Sequence, residues 1–393
     1  MVMRQRRNKS TEEKEPKTLA EHVEESANKV VERSSTDPVG PDPKTITADR
    51  LIPSSITLLN CACSDNPFGA FAMGSINTVP GKSASGKTVL MLSMLAACSI
   101  DKKFDEYDLV LDDAEEAQSF DLEYLFPPLV SRLRAPRYSG ELPIHSNTIE
   151  DFEGNILLRC KSGKPFIYVM DSLDSLSATA ELEREYANAV KNAKDDDEIK
   201  KAKQSYGTEK SRIISQMLRM VNGKIKNSDS ALFIIQQTKQ NLNKVFKSSP
   251  DWVTAGGEAP FFYSFHRIYT NSIGSHKAES KGIKHKIGGI TKAQVIKNKL
   301  NGKKREIEFD IYEDLGIDDL GGNIEFLKKV KRIKMSGAYM VCKELIGDEK
   351  MYRTDLIKYI EKENLERRIQ EMVGEEWNDI EKDIRLTDRK RRF

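Results

Sequence analysis

Eight residues, GKSASGKT at positions 81–88, constrain this chain more than any other stretch. They fit G-x-x-x-x-G-K-[ST], a loop whose backbone N–H groups and following helix N-terminus surround phosphate, and only glycine-permissive geometry lets the backbone wrap so closely. An apolar run, SINTVP at 75–80, precedes the loop, and TVLMLSMLAA follows it with helical character. The unit therefore reads as strand, phosphate loop and helix. Its candidate residues are Gly81, Lys82, Ser83, Ala84, Ser85, Gly86, Lys87, Thr88 and Val89. Gly81 and Gly86 supply the turn, Lys87 reaches the β- and γ-phosphates of a nucleotide, and the Thr88 hydroxyl ligates Mg²⁺.

Further strands and helices extend this unit into a layered fold. DLVLD (108–112), FIYVMD (166–171) and ALFIIQQ (231–237) read as buried strands, with helices at 87–99, 119–133, 146–161 and 208–226. Continuous apolar strands alternating with helices predict an α/β fold whose mostly parallel central sheet is covered on both faces. HRIYTNSI (266–273), AQVIKNKL (293–300) and REIEFDIY (305–312) continue the sheet as hairpins. The expected organisation is a polar segment over 1–44, a core over 45–320, a small C-terminal α(+β) domain over 321–365 and a charged tail over 366–393. In the first segment Leu19, Val23, Val30 and Val31 either line a helix that docks on a neighbouring protomer or belong to a disordered tail. AVKNAKDDDEIKKAKQ (189–204), almost pure charge with helical propensity, reads as a solvated insertion.

Composition removes several alternatives. With 63 basic against 61 acidic side chains the net charge is +2, so any nucleic-acid contact must rest on local basic clusters. Cys61 and Cys63 form a C-x-C pair with no second pair at zinc spacing, so buried, reduced thiols are expected. No apolar run reaches the roughly 18 residues that span a membrane, and the basic N-terminus has no apolar stretch behind it. A cytoplasmic protein is expected, in a bacterium or a phage-infected host.

The phosphate loop needs partners at neighbouring strand ends. FIYVMDSLDSL delivers Asp171 to the carboxyl end of the sheet, where a carboxylate can hold a Mg²⁺ shell. DLVLDDAEEA offers Asp112, Asp113, Glu115 and Glu116 as groups to deprotonate a water, and spacing alone does not choose among them. ALFIIQQT ends a further strand in Gln236 and Gln237, amides able to feel a γ-phosphate.

Together these motifs resemble the RecA family of recombinases over about residues 50–340, with the phage UvsX branch as a near relative. The resemblance implies Glu115 as catalytic base with Asp113 in support, Asp171 and Ser172 on the Mg²⁺ strand, and Gln237 as γ-phosphate sensor. TAGGEAPFFYSFHR (254–267) resembles the glycine pair and aromatic helix that close the family's second DNA loop. That loop would run from Lys239 to Gly257 and carry Lys239, Lys244, Lys247, Phe246, Trp252, Gly256 and Gly257. VIKNKL resembles the family's K-x-K strand, so Lys297 and Lys299 would reach a neighbour's ATP. SRIISQMLRM (211–220) is similar to the helix after the first DNA loop, which implies Arg212 and Arg219 as phosphate contacts and Gly207 near the loop's end.

What the resemblance implies is a DNA-dependent ATPase using ATP and Mg²⁺, assembled as a helical filament on single-stranded DNA and taking up double-stranded DNA during exchange. A loading factor and a single-strand-binding protein would be further partners. Two rivals share the phosphate loop: a ring-shaped helicase and a non-hydrolysing mediator. The first would normally show a trans arginine and a primase-binding domain, neither evident; intact Lys87, Thr88, Glu115 and Asp171 weigh against the second. The chain departs from the family's pattern in its 189–204 segment, in its basic end RKRRF, and in showing no clear aromatic for adenine after Glu116.

Overall fold

A computed structural model describes residues 46–115, 121–183, 196–240 and 252–385, and all their side chains except those of 196–208 and 240. β1 (Leu51–Ile52) and β2 (Phe71–Ala72) pair beside α1 (Thr57–Ser64), and β3 (Ser75–Gly81) leads through the phosphate loop into α2 (Lys87–Ile100). β4 (Asp108–Asp113), single turns α3 (Leu122–Leu125) and α4 (Pro127–Val130), β5 (Leu133–Arg134) and the hairpin β6 (Arg137–Ser139)–β7 (Leu142–Ile144) follow. Next come α5 (Ile149–Ser162), β8 (Phe166–Asp171), α6 (Asp196–Asn227), β9 (Ala231–Gln240), β10 (Trp252–Thr254) and α7 (Ala259–Tyr263). The long hairpin β11 (His266–Ser280)–β12 (Ile283–Asn298) precedes β13 (Glu306–Tyr312) and β14 (Gly316–Ile317). The C-terminal part holds α8 (Asp319–Lys329), β15 (Lys334–Ser336), β16 (Tyr339–Val341), α9 (Lys343–Ile346), α10 (Arg353–Glu363) and α11 (Glu366–Asp383).

One sheet dominates, in the order β14-β13-β12-β11-β3-β9-β8-β4-β5, with β10 added to β9. From β11 to β5 every pairing is parallel, while β10, β12, β13 and β14 join antiparallel. Period-two alternation builds two cores from this sheet. Along β8, Ile167 and Val169 pack with α1 and α2, whereas Phe166, Tyr168 and Met170 pack with α5 and α6. β9 repeats the pattern, with Phe233 and Ile235 on the first side and Leu232 and Ile234 on the second. Each such side chain contributes about 1.5–3 kcal/mol on burial, which explains why both strand faces are apolar.

Several expectations change. The helix expected over 119–133 breaks into α3 and α4 because Pro127 and Pro128 cannot continue it. The described part of the 189–204 segment has the helical character expected of it, as part of α6, but Gly207 lies inside that helix, not at a loop's end. Residues 184–195 lie outside the described residues. The expected tail from 366 is instead α11, whose Ile369, Met372 and Val373 are buried in the α1–α2 core. That helical apolar spacing is hidden among charged neighbours, and only 386–393 lie outside the described residues at this end. The polar segment 1–44 lies outside them as well. All five cysteines are free. Among the described residues no helix is long and apolar enough to cross a membrane.

Candidate active site

The loop after β3 is braced from the neighbouring strand β11. A Cβ added to Gly81 would fall 2.2 Å from Thr270 Oγ1 and 2.6 Å from the Thr270 carbonyl oxygen, so the loop can start there only as glycine. Gly86 has φ of +80°, the left-handed region that starts α2. Ser85 Oγ and Thr270 Oγ1 are hydrogen-bonded at 2.8 Å. Lys87 is buried, and its Nζ donates to the carbonyls of Gly81 (3.2 Å) and Lys82 (2.7 Å). Burial lowers its pKa. Lys82, Ser83 and Ala84 face solvent, while Ser85 and Val89 are buried.

Thr88 and Asp171 meet at the end of β8, where Thr88 Oγ1 donates to Asp171 Oδ2 at 2.6 Å. Burial pushes the Asp171 carboxyl up to about 6, and the negative charges of Glu115 and Asp113 add to the shift. Asp113 is the residue directly across from Asp171 in the β4–β8 pairing. A hydroxyl beside a carboxylate crowded by further negative charge fits a hard cation that prefers oxygen donors, as Mg²⁺ does.

The four acidic candidates after β4 separate by position. Asp112 is fully buried on the α5–α6 side, where it accepts from Ser146 Oγ (2.6 Å), Ser146 N (2.8 Å) and Tyr168 OH (2.5 Å). Asp113 ends the strand, and Glu116 lies outside the described residues. Glu115 Oε1 accepts from Ser172 Oγ (2.7 Å), Ser175 Oγ (3.1 Å) and Gln237 Nε2 (2.8 Å). The Ser172 hydroxyl, with Ser175 and Gln237, holds Glu115 below the usual carboxylate range. The Gln237 backbone N–H donates to Asp174 Oδ2 at 2.7 Å. Ser175 and Asp174, missed in the sequence, follow Asp171 in the same DSLDS turn, and that repeated polar spacing was their only signal.

A cavity of about 360 Å³ opens beside the loop, between residues 84–89 and a wall from the long hairpin and β13 that includes Gly288, Gly289, Thr291, Ile311 and Tyr312. Tyr312 stacks on His276 (ring centres 4.9 Å, 23°), and His276 Nε2 is 2.8 Å from Asp310 Oδ1. No local motif announces this wall, because strand pairing alone brings β12 and β13 to the loop.

The other candidates lie around this centre. Lys239 is exposed near the end of β9; Lys244, Phe246 and Lys247 lie outside the described residues. β10 returns antiparallel to β9, and Trp252 stacks on Tyr269 (4.8 Å, 6°). Gly256 and Gly257 follow with φ of +84° and +63°. Arg212 and Arg219 are exposed on α6, away from buried Ile214, Met217 and Leu218. Lys297 Nζ sits 4.8 Å from the Phe261 ring centre and donates to the carbonyls of Phe261 and Phe262, the latter at 2.9 Å; Lys299 Nζ reaches the Phe262 carbonyl at 3.4 Å. Partial burial, with Lys299 and Arg267 nearby, pushes Lys297 down to about 8. Neither lysine lines the cavity beside the chain's own phosphate loop.

Residues 155–318, less than half of the chain, match the family model for the RecA N-terminal domain. The stretch similar to that domain runs from α5 to β14 and includes Asp171, Gln237, Lys297 and Lys299. The match supports kinship with the RecA family, and the mixed α/β fold with its mostly parallel sheet is that of a RecA-type core.

Proposed function

We propose that this chain is a DNA-dependent ATPase of homologous recombination and DNA repair. In this reading it forms helical filaments on single-stranded DNA, pairs them with homologous double-stranded DNA and promotes strand exchange. The observation that carries it is the bond between Gln237 and Glu115: the amide that touches the general-base candidate is three residues before the end of β9, and the lysines Lys244 and Lys247 follow in the sequence. The stretch similar to the RecA N-terminal domain supports the same reading, and within that family we read the phage UvsX-like branch as a near relative.

Lys87 exchanges the Gly81 and Lys82 carbonyls for the phosphates of ATP, and Thr88 with Asp171 holds Mg²⁺. Held there, Mg²⁺ would supply positive charge to offset that of the nucleotide. Glu115, kept ionised by its serine donors, orients the attacking water and takes its proton. Gln237 turns between Glu115 and the γ-phosphate and passes the difference into the loop behind it. Tyr312, with Gly288 and Gly289 in the same wall, offers a planar surface for the base. Lys239, Lys244, Lys247, Arg212 and Arg219 neutralise DNA phosphates, so the protein grips backbone and leaves sequence to base pairing. Lys297 and Lys299 act in trans on the neighbour's ATP, a cation supplied only when protomers stack. A loading factor and a single-strand-binding protein fit this cycle as partners.

The test is ATP hydrolysis with and without single-stranded DNA, combined with electron microscopy of the same mixture. Stimulated hydrolysis with helical filaments, both lost in Lys297→Ala, is expected. Hexameric rings would overturn the reading in favour of a helicase, and filaments without hydrolysis would make the chain a DNA-coating protein.

A further inference from the structure

One buried cation is used by none of these steps. Arg267, on β11, is only 3% exposed; among the described residues it forms no ion pair, and Glu258 is the one acidic group whose charge acts on it. Its guanidinium spreads instead over three other strands. Nη1 donates to Thr78 Oγ1 of β3 (3.1 Å) and to Gln236 Oε1 of β9 (2.9 Å), and Nη2 donates to Thr254 Oγ1 of β10 (3.1 Å). The guanidinium carbon also lies 5.8 Å from the Trp252 ring centre and 5.9 Å from that of Phe261.

These partners are one step from each functional part. Thr78 is on the strand that ends in the phosphate loop, three residues before Gly81. Gln236 precedes Gln237 and, by strand alternation, faces the opposite side of the sheet. Its own Nε2 donates 2.9 Å to the carbonyl of Ala255, beside the glycine pair. Thr254 and Trp252 form the strand on which the loop returns, and Phe261 belongs to the helix whose carbonyls hold Lys297. Nε is buried without a hydrogen-bond partner, so the three Nη bonds to β3, β9 and β10 are what hold this charge, and a planar fork shared among those strands fixes their relative positions. A shift of β9 beside Gln237 therefore reaches, through Gln236 and this one rigid group, the return strand β10 and the Phe261 ring of α7.

We infer that Arg267 is a positioning residue that couples nucleotide state at Gln237 to nucleic-acid affinity through β10 and the Gly256–Gly257 pair that follows it. The inference rests on the function proposed above and adds to it the joint through which coupling passes. Coupling between two binding sites is reciprocal, so it is read from affinity alone.

The experiment measures binding of a fluorescent oligo-dT to the full chain by anisotropy, with a non-hydrolysable ATP analogue and with ADP, alongside DNA-free and DNA-stimulated ATPase rates. Wild type should bind at least about fivefold tighter with the analogue than with ADP. Arg267→Lys, which keeps the charge but loses the fork, should bring that ratio to within about twofold of one while DNA-free hydrolysis stays within about twofold of wild type. Thr254→Val removes a single bond at nearly constant volume and should lower the ratio in the same direction. It decides the matter if Arg267→Lys does not fold. A purely structural arginine would weaken both nucleotide states equally, so an unchanged ratio in the folded variants overturns the inference and leaves the proposed function standing. A wild type whose DNA affinity ignores the nucleotide overturns both.

Discussion

At the end of β9 two adjacent glutamines are sent to opposite faces of one strand. Gln237 meets Glu115 on the phosphate side, while Gln236 is fully buried against Arg267 and Ala255. The same alternation separates Asp112, locked by Tyr168 and Ser146, from the acids at the strand's end. Side-chain type alone therefore cannot rank these residues, and the face they occupy does. Replacing Glu115 by Gln should lower ATP turnover by about 10²–10⁴-fold with nucleotide affinity little changed. Equal losses in titrated affinity and turnover would instead place Glu115 in binding. Gly81→Ala forces a methyl group onto Thr270, 2.2 Å away, and should cost about 1–3 kcal/mol as overpacking together with nucleotide affinity. A variant melting and binding ATP like wild type would show that the loop can step aside.

Among the elements, those with strong local signals lie closest to their expected bounds. α5 starts at a capping box in which Thr148 Oγ1 accepts from Asp151 N at 3.0 Å and Asp151 Oδ2 accepts from Thr148 N at 3.3 Å. Thr148→Ala should destabilise the protein by about 1 kcal/mol in denaturant unfolding, without affecting nucleotide binding. An unchanged midpoint would mean that tertiary packing, not the cap, holds this helix end. α11 shows the opposite case. Its sequence, ERRIQEMVGEEWNDIEKD, looks like a solvated tail until α1 and α8 give Ile369, Met372 and Val373 a surface to bury against. The β11–β12 arm is likewise longer than its apolar pattern, since its outer residues are exposed and turn at Lys281–Gly282, both with positive φ.

For the molecule as a whole, the C-terminal helix is fastened to the main sheet by charge as well as by apolar contact. Arg305 grips Glu381 through Nε at 2.6 Å and Nη2 at 2.9 Å, and Lys303 reaches both Glu381 (2.9 Å) and Asp65 (2.7 Å). The Arg305 and Lys303 contacts hold the Glu381 carboxyl at about 2, from an ordinary value of 4.5. A depressed acid stabilises the fold fully above its ordinary value and loses that contribution as pH falls through the folded value. Stability should therefore decline between about pH 4.5 and 2, by on the order of 2 kcal/mol from this group. Glu381→Gln should lose most of that at neutral pH and flatten this part of the acid profile in thermal melts. A variant as stable as wild type at pH 7, with the same acid slope, would assign the slope to other carboxylates.

Local chemistry written into the sequence determined the phosphate loop, the apolar strands and the parallel order they imply, because a glycine turn and a period of two need only neighbouring residues. It also brought Lys87, Thr88, Asp171, Glu115 and Gln237 to one end of one sheet, since parallel strands share their carboxyl edge. Only the tertiary structure decided which acid meets Gln237, that Tyr312 and the hairpin glycines wall the cavity, that α11 is buried, and that Arg267 ties three strands together. Those outcomes depend on strand register and on which face each side chain takes, and both are set by contacts between residues far apart in the chain.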